Sequence, residues 1–165
     1  MTDPLPVPFA EARAVVLPAW IDYNGHMNVG YYHVAFDIAA DAFFEFLGFT
    51  PEYRERKQAT TFALEAHLNF LREVREGDRL RFEARLLDFD AKRLHYYQEM
   101  FHEGEGYLAA SHESLSMQVS LATRRTEPMG DALQERLRAI LKAHSTLGRP
   151  WQVGHAISAR PPARG

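Results

Sequence analysis

An α+β domain of two layers is predicted by three features of the 165-residue chain. One stretch, Val29–Leu47, repeats its apolar residues at helical spacing. Four later stretches alternate with a period of two, and the turns between them are short and carry Gly or Asp. A helix with one apolar stripe and a sheet with one apolar face bury each other, so the two layers are expected to pack together.

The elements follow in order. Three prolines in the first ten residues predict an extended arm, and the apolar run Arg13–Leu17, stopped by Pro18, predicts a short strand. After the loop Ala19–Asn28, the long helix places Phe36, Ala40, Phe43, Phe44 and Leu47 on one stripe and Asp37, Asp41 and Glu45 on another, and Gly48 stands where a helix end favours positive φ. Residues 51–57 suit a short second helix. Thr60–Arg72 then puts Phe62, Leu64, Ala66, Leu68 and Phe70 on one face and Thr61, Glu65, His67 and Asn69 on the other. Arg79–Leu87, Arg93–His102 and Tyr107–Leu121 complete an antiparallel set. A C-terminal helix is predicted over Ala132–His144, with Asp131 and Gln134 as a capping box and Leu133, Leu137, Ile140 and Leu141 as its buried stripe. Residues 1–145 read as a single domain and 146–165 as an extended Pro/Arg-rich tail. Glu65, His67, Arg81, Arg85 and His95 fall on the sheet's other face, a pattern expected where a second layer or subunit packs.

Composition narrows the chemistry. With 19 Lys+Arg against 22 Asp+Glu the net charge is −3, and 46% hydrophobic with 25% charged residues is a globular balance. The absence of cysteine excludes disulfide frameworks, thiolate zinc sites and cysteine nucleophiles. The mild acidity argues against nucleic acid as a partner, which wants a basic face. No basic-then-apolar leader pattern opens the sequence, and the most apolar stretch, Val34–Phe49, carries three carboxylates, so a cytoplasmic protein without a membrane span is expected. His112-Glu113 lacks the second His that a zinc motif needs, so no metal is expected.

The informative segment is Trp20-Ile21-Asp22-Tyr23-Asn24-Gly25-His26-Met27-Asn28-Val29-Gly30-Tyr31-Tyr32. Asn28 is a favoured N-cap, whose side chain can take the N–H of Gly30 or Tyr31. The Val29 N–H is then left pointing outward at the positive end of the helix dipole, a natural stabiliser for a developing oxyanion. Asp22, on a glycine-flexed loop, could present its carboxylate to the same centre. Plain turn chemistry, with a structural His26, is the alternative reading of the same residue types.

The element order and the motif Asp22-x-x-Gly25-His26-x-Asn28 resemble the hotdog-fold acyl-CoA thioesterases of the 4-hydroxybenzoyl-CoA thioesterase type, over about residues 13–122. The resemblance implies a long central helix wrapped by an antiparallel sheet of about five strands. It implies Asp22 as the catalytic carboxylate and the N–H near Val29 as the group polarising the thioester carbonyl, supported by Gly25 and Asn28, with His26 or Asn24 orienting water or carboxylate. A closer likeness is to thioesterase domains associated with carnitine dehydrogenase, which act on betainyl-CoA. It is carried by Trp20 to Met27, by Glu65-Ala66-His67 and by Lys92-Arg93-Leu94-His95, whereas Asn28-Val29-Gly30-Tyr31-Tyr32 fits a related branch of different specificity.

Trp20, Tyr23, Tyr31, Tyr32 and Tyr53 are candidates for an aromatic cage around a trimethylammonium group. Glu65 and His67, roughly 6–7 Å apart along a strand, are candidates to line a site in a homodimer or homotetramer. Arg72, Arg75, Lys92, Arg93, Arg124 and Arg125 are candidate contacts for the CoA phosphates. No cofactor is expected beyond the CoA of the substrate. A hotdog hydratase or dehydratase acting on 3-hydroxyacyl thioesters, and a non-catalytic acyl-CoA or quaternary-amine binding module, are the competing readings.

Overall fold

The computed structural model describes residues 4–160. A short strand β1 (Arg13–Val15) leads through the 3₁₀ turn Pro18–Trp20 to the central helix α1 (Val29–Leu47), then to α2 (Pro51–Lys57). Four long strands follow, β2 (Ala59–Phe70), β3 (Arg79–Phe89), β4 (Arg93–His102) and β5 (Leu108–Ser120), before the helix α3 (Asp131–His144). The sheet is antiparallel with order β1-β3-β4-β5-β2. It curls around α1 in the hotdog arrangement that the resemblance implies.

The helix is held along its whole length by two clusters. Phe36, Ala35 and Tyr32 of its first half pack with Leu80, Phe82 and Met100. Phe43 and Leu47 of its second half pack with Leu86, Leu94 and Tyr96, and α3 closes that end with Leu133, Leu137 and Ile140. Gly48 ends α1 at φ 115, the left-handed region that glycine enters without strain, and its N–H bonds the Phe44 and Glu45 carbonyls.

Two local expectations are corrected. The first concerns β2, where the alternation does not run through. A bulge at Leu64 shifts the register between Ala63↔Ser116 and Glu65↔Leu115. Phe62, opposite Met117, therefore faces away from α1, while Leu68 and Phe70, opposite His112 and Ala110, lie on its side. Phe62, Leu64 and Phe70 remain 37%, 47% and 49% exposed, because β2 is an edge strand that α1 does not cover. The second concerns α3, which starts one residue earlier than the capping box places it. Gly130 is the N-cap without a side-chain bond, and Gln134 donates its side-chain amide to the Met129 carbonyl instead.

Polar groups under the helices are paired in a way that fixes their protonation. The Gln98 amide N–H donates to the Phe36 carbonyl, so its oxygen must accept from His112 Nδ1–H at 3.0 Å. Burial, with His33 adding to it, holds His112 down to about 4. In α3, His144 Nδ1 accepts the Leu86 N–H at 2.9 Å, so its Nε2–H donates to the Pro6 carbonyl. Burial lowers this imidazole too. Both rings are neutral in the folded protein, and protonation favours the unfolded chain.

The unfolded chain therefore binds more protons between about pH 6.5, the ordinary histidine value, and about pH 4, the folded value of His112. Stability is expected to be full above that window and to fall as pH drops through it. The His112 contribution should be about 3 kcal/mol. Urea unfolding of wild type and His112→Asn at several pH values checks this; a variant with the wild-type slope would remove His112 from the account.

Candidate active site

The loop between the 3₁₀ turn and α1 is closed on itself before it meets any substrate. Ile21 and Met27 form an isolated antiparallel bridge. The Asp22 N–H bonds the His26 carbonyl and the Gly25 N–H bonds the Asp22 carbonyl, each at 3.0 Å. Gly25 takes φ +81 at this reversal, where any side chain would be strained. Asp22 Oδ1 accepts the Asn24 N–H at 2.8 Å, which orients the carboxylate from its own loop. The loop is then stitched to its surroundings by Met27 N–H to the Val74 carbonyl and Asn28 N–H to the Trp20 carbonyl.

Asn28 caps α1 in the expected way. Its Oδ1 accepts the Gly30 N–H at 3.0 Å, and its carbonyl accepts the Tyr31 N–H. Among the described residues no bond uses the Val29 N–H, and Val29 is 58% exposed. Asp22, His26, Val29, Tyr32 and Phe70 line one open cavity of about 410 Å³, together with Arg72 and Glu73. The arrangement sets a carboxylate and a free helix-start donor on one space, which suits attack on a carbonyl whose oxygen gains charge.

His26 and a residue that no motif marks meet at the mouth of this cavity. Glu73 Oε2 lies 2.8 Å from His26 Nε2, and its Oε1 accepts from Arg75 Nη2 at 2.9 Å. The Tyr107 hydroxyl donates to the Glu73 carbonyl at 2.8 Å, and the Arg72 guanidinium lies 3.7 Å from the Tyr107 ring centroid. Burial pushes the Tyr32 hydroxyl above its ordinary value, so it stays protonated. Glu73 is invisible in the sequence because its partner is 47 positions away; only the return of Leu71–Asp78 past the loop joins them.

The aromatic candidates do not assemble into one cage. Trp20 is buried and stacks on Tyr31, with ring centroids 5.8 Å apart. Tyr23 is 96% exposed at the loop tip beside the exposed Asn24. Tyr53 belongs to the other core cluster, where its hydroxyl donates to Gln118 Oε1 at 2.7 Å. Only Tyr32 lines the cavity, edge-on to Phe70 at 5.3 Å.

Glu65, His67 and Arg93 gather elsewhere, on the face of the sheet away from α1. They line a second cavity of about 500 Å³ with His95, Glu113 and His155. His95 Nε2 and Glu113 Oε1 are 2.7 Å apart, and Glu113 Oε2 accepts the Gly154 N–H. Arg85 donates to the Gly148 carbonyl, and His155 stacks on His67, so the segment after α3 crosses the back of its own sheet from β3 to β2. The sheet stands between this cavity and Asp22, and one chain does not bring the two sets together. Of the basic candidates, Arg72 lines the Asp22 cavity and Arg75 stands behind Glu73. Arg93 is bound to Asp90, and Arg124 lies over the Phe62 ring at 5.2 Å. No bond fixes the Lys92 or Arg125 side chain among the described residues. No group of three His, Asp or Glu among them is arranged to hold a metal ion.

Comparison with known proteins points the same way as the loop. The model of the thioesterase-like superfamily matches residues 16–137. A betainyl-CoA thioesterase of Pseudomonas aeruginosa is 38% identical over 149 residues, 90% of this chain and 93% of that protein. An L-carnitine dehydrogenase/betainyl-CoA thioesterase of Ruegeria pomeroyi is 36% identical over 146 residues, 88% of this chain but 29% of that longer protein. Among solved structures, a Staphylococcus aureus protein in complex with CoA superposes with a TM-score of 0.85 at 28% identity, covering 97% of this chain and all of that one. The match of residues 16–137 and the 38% identity to a relative covered over 93% of its length establish that the chain belongs to the thioesterase-like superfamily.

Proposed function

We propose that this acyl-CoA thioesterase acts on a small acyl group bearing a quaternary ammonium, with betainyl-CoA as its substrate. The observation that carries the hydrolytic reading is the shared cavity of the Asp22 carboxylate and the unused Val29 N–H. The choice of acyl group is supported by the relatives that carry betainyl-CoA thioesterase in their names. It is also supported by the lining, where the Tyr32 and Phe70 rings suit a trimethylammonium group.

In this reading the Asp22 carboxylate takes a proton from water as the water oxygen bonds the thioester carbon. The carbonyl electron pair moves onto oxygen, where the Val29 N–H holds it. Collapse restores the C=O, breaks the C–S bond, and the departing thiolate takes the proton back from Asp22. Direct attack by Asp22, through an anhydride that water then opens, uses the same two groups. A single turnover in ¹⁸O-water identifies an anhydride opened at the Asp22 Cγ, because only that route leaves label in Asp22. A thiolate is a good leaving group, so no metal or cofactor is needed. A cytoplasmic location goes with this reading, since acyl-CoA pools lie there. No helix among the described residues is long and apolar enough to cross a membrane.

The working unit in this proposal is a homodimer joined along β2. That strand is an uncovered edge of 12 residues whose Phe62, Leu64 and Phe70 are exposed. Val34 and Ile38 of α1 are exposed too, at 41% and 53%. An edge this long and apolar is otherwise a site of aggregation. Pairing two copies there would close the side of the Asp22 cavity that Phe70 and Leu71 leave open.

Free thiol released from betainyl-, acetyl-, benzoyl- and tert-butylacetyl-CoA tests the substrate. Betainyl-CoA should give the highest kcat/KM; equal turnover of the tert-butylacetyl isostere would remove the charge from the argument, and background rates throughout would leave a binding module. Asp22→Asn keeps the oxygen that accepts the Asn24 N–H, so melting should be unmoved while kcat falls at least ~100-fold. Light scattering should give twice the chain mass for wild type and the single chain mass for Leu64→Lys, which places a charge in the β2 edge.

A further inference from the structure

We propose that Glu73 is a positioning residue for this reaction, acting through His26. The inference rests on the thioesterase reading of the Asp22 cavity, and it assigns a task to a side chain that no sequence motif marks.

The carboxylate has little structural work of its own. Its main chain is already held: the Tyr107 hydroxyl donates to the Glu73 carbonyl, the next carbonyl, of Val74, accepts the Met27 N–H, and the Val74 side chain is fully buried. The Glu73 side chain is 50% exposed, and its two partners are exposed or half-exposed, a setting in which an ion pair contributes little to folding. Yet both of its oxygens are committed. One takes His26 Nε2 at 2.8 Å and the other Arg75 Nη2 at 2.9 Å, so Arg75 braces the carboxylate against rotating away from the ring.

The consequence falls on His26. A carboxylate oxygen 2.8 Å from Nε2 requires the ring proton on that nitrogen, so a neutral His26 ring carries its lone pair on Nδ1, for which the described residues offer no partner. His26 and Asp22 line the same cavity, and the Asp22 N–H bonds the His26 carbonyl, so the imidazole and the catalytic carboxylate are fixed on one short loop. A water that donates one hydrogen to Asp22 can donate the other to His26 Nδ1, which orients its remaining lone pair. Glu73 touches neither water nor substrate in this arrangement. It holds the ring in one tautomer and one orientation, the role a carboxylate plays behind a working imidazole.

The test combines kinetics with a measurement that needs no turnover. Glu73→Ala should lower kcat about 10- to 100-fold, taking the scale known for the carboxylate behind a metal-bound imidazole, with KM little changed and melting unmoved. Glu73→Gln, whose amide oxygen can accept the same N–H, should recover part of the loss. In a His26→Ala background Glu73→Ala should add nothing, because its effect passes through the missing ring. Wild-type kcat in Glu73→Ala, or the same fold-loss in both backgrounds, would overturn the proposal. Long-range ¹H–¹⁵N spectra of the resting protein should show His26 as a single Nε2–H tautomer in wild type and averaged nitrogens in Glu73→Ala. Averaging already in wild type would overturn it as well. A fixed tautomer in a protein that releases no thiol from any acyl-CoA would instead retain the positioning contact and reject the thioesterase reading.

Discussion

The whole molecule depends on burying one stripe of α1 inside a curled sheet. Phe36, Phe43, Leu47 and Ala35 are fully excluded from water, and Tyr32, Ala39 and Ala40 nearly so. At about 1.5–3 kcal/mol for each large side chain removed from water, this stripe is a major source of the domain's stability. The sheet makes room by using small residues where the helix presses closest. Ala110, Ser114 and Ser116 of β5, on the side of the sheet that His112 shares, are all buried. Even the polar groups there serve the helix, since Gln98 crosses the interface to bond the Phe36 carbonyl and is itself oriented by His112. Because that line of bonds works only with a neutral imidazole, the packing that defines the fold is also sensitive to acid.

Most of this was legible in the sequence, for reasons that differ by element. The 19 residues of α1 were set by a helical period, by Asn28 at one end and by Gly48 at the other, and all three are local signals. The strand β3 alternates from Arg79 to Leu86, and Leu80, Phe82, Ala84 and Leu86 are buried as the alternation requires. Where reading failed, a long-range partner decided the outcome. The β2 alternation looks unbroken along the chain, but its bulge exists only as a register against β5. The C-terminal segment 146–165 reads as an extended tail, of which 161–165 lie outside the described residues; what the sequence does not convey is that Arg85, Glu113 and His67, on three different strands, fasten it at Gly148, Gly154 and His155.

The candidate site divides along the same line. Asp22, Gly25, Asn28 and the Val29 N–H are one short segment, and their bonds are made within it, so the motif alone conveys their arrangement. Residue type without placement was less informative. Trp20 and Tyr53 are aromatic for the sake of the core, and Glu65 and His67 lie behind the sheet from Asp22. Glu73 shows the converse, a residue of ordinary type made significant by the chain segment that passes beside it.

The loop's double duty explains why the helix start and the carboxylate keep one geometry. Asn28 is at once the cap of α1 and the residue whose N–H ties the loop to Trp20, so the helix that carries the core also aims the Val29 N–H. Asp22 is fixed at the other end of the same closed turn through Gly25 and Asn24. A shift of either group would have to pull on the Ile21–Met27 bridge or on the Val74 carbonyl, and Val74 is sealed in the core cluster of Phe36. Donor and carboxylate are therefore set in place by the same burial that stabilises the domain. That is the kind of preorganisation an oxyanion site requires, because its dipoles must already point at the developing charge when the reaction begins.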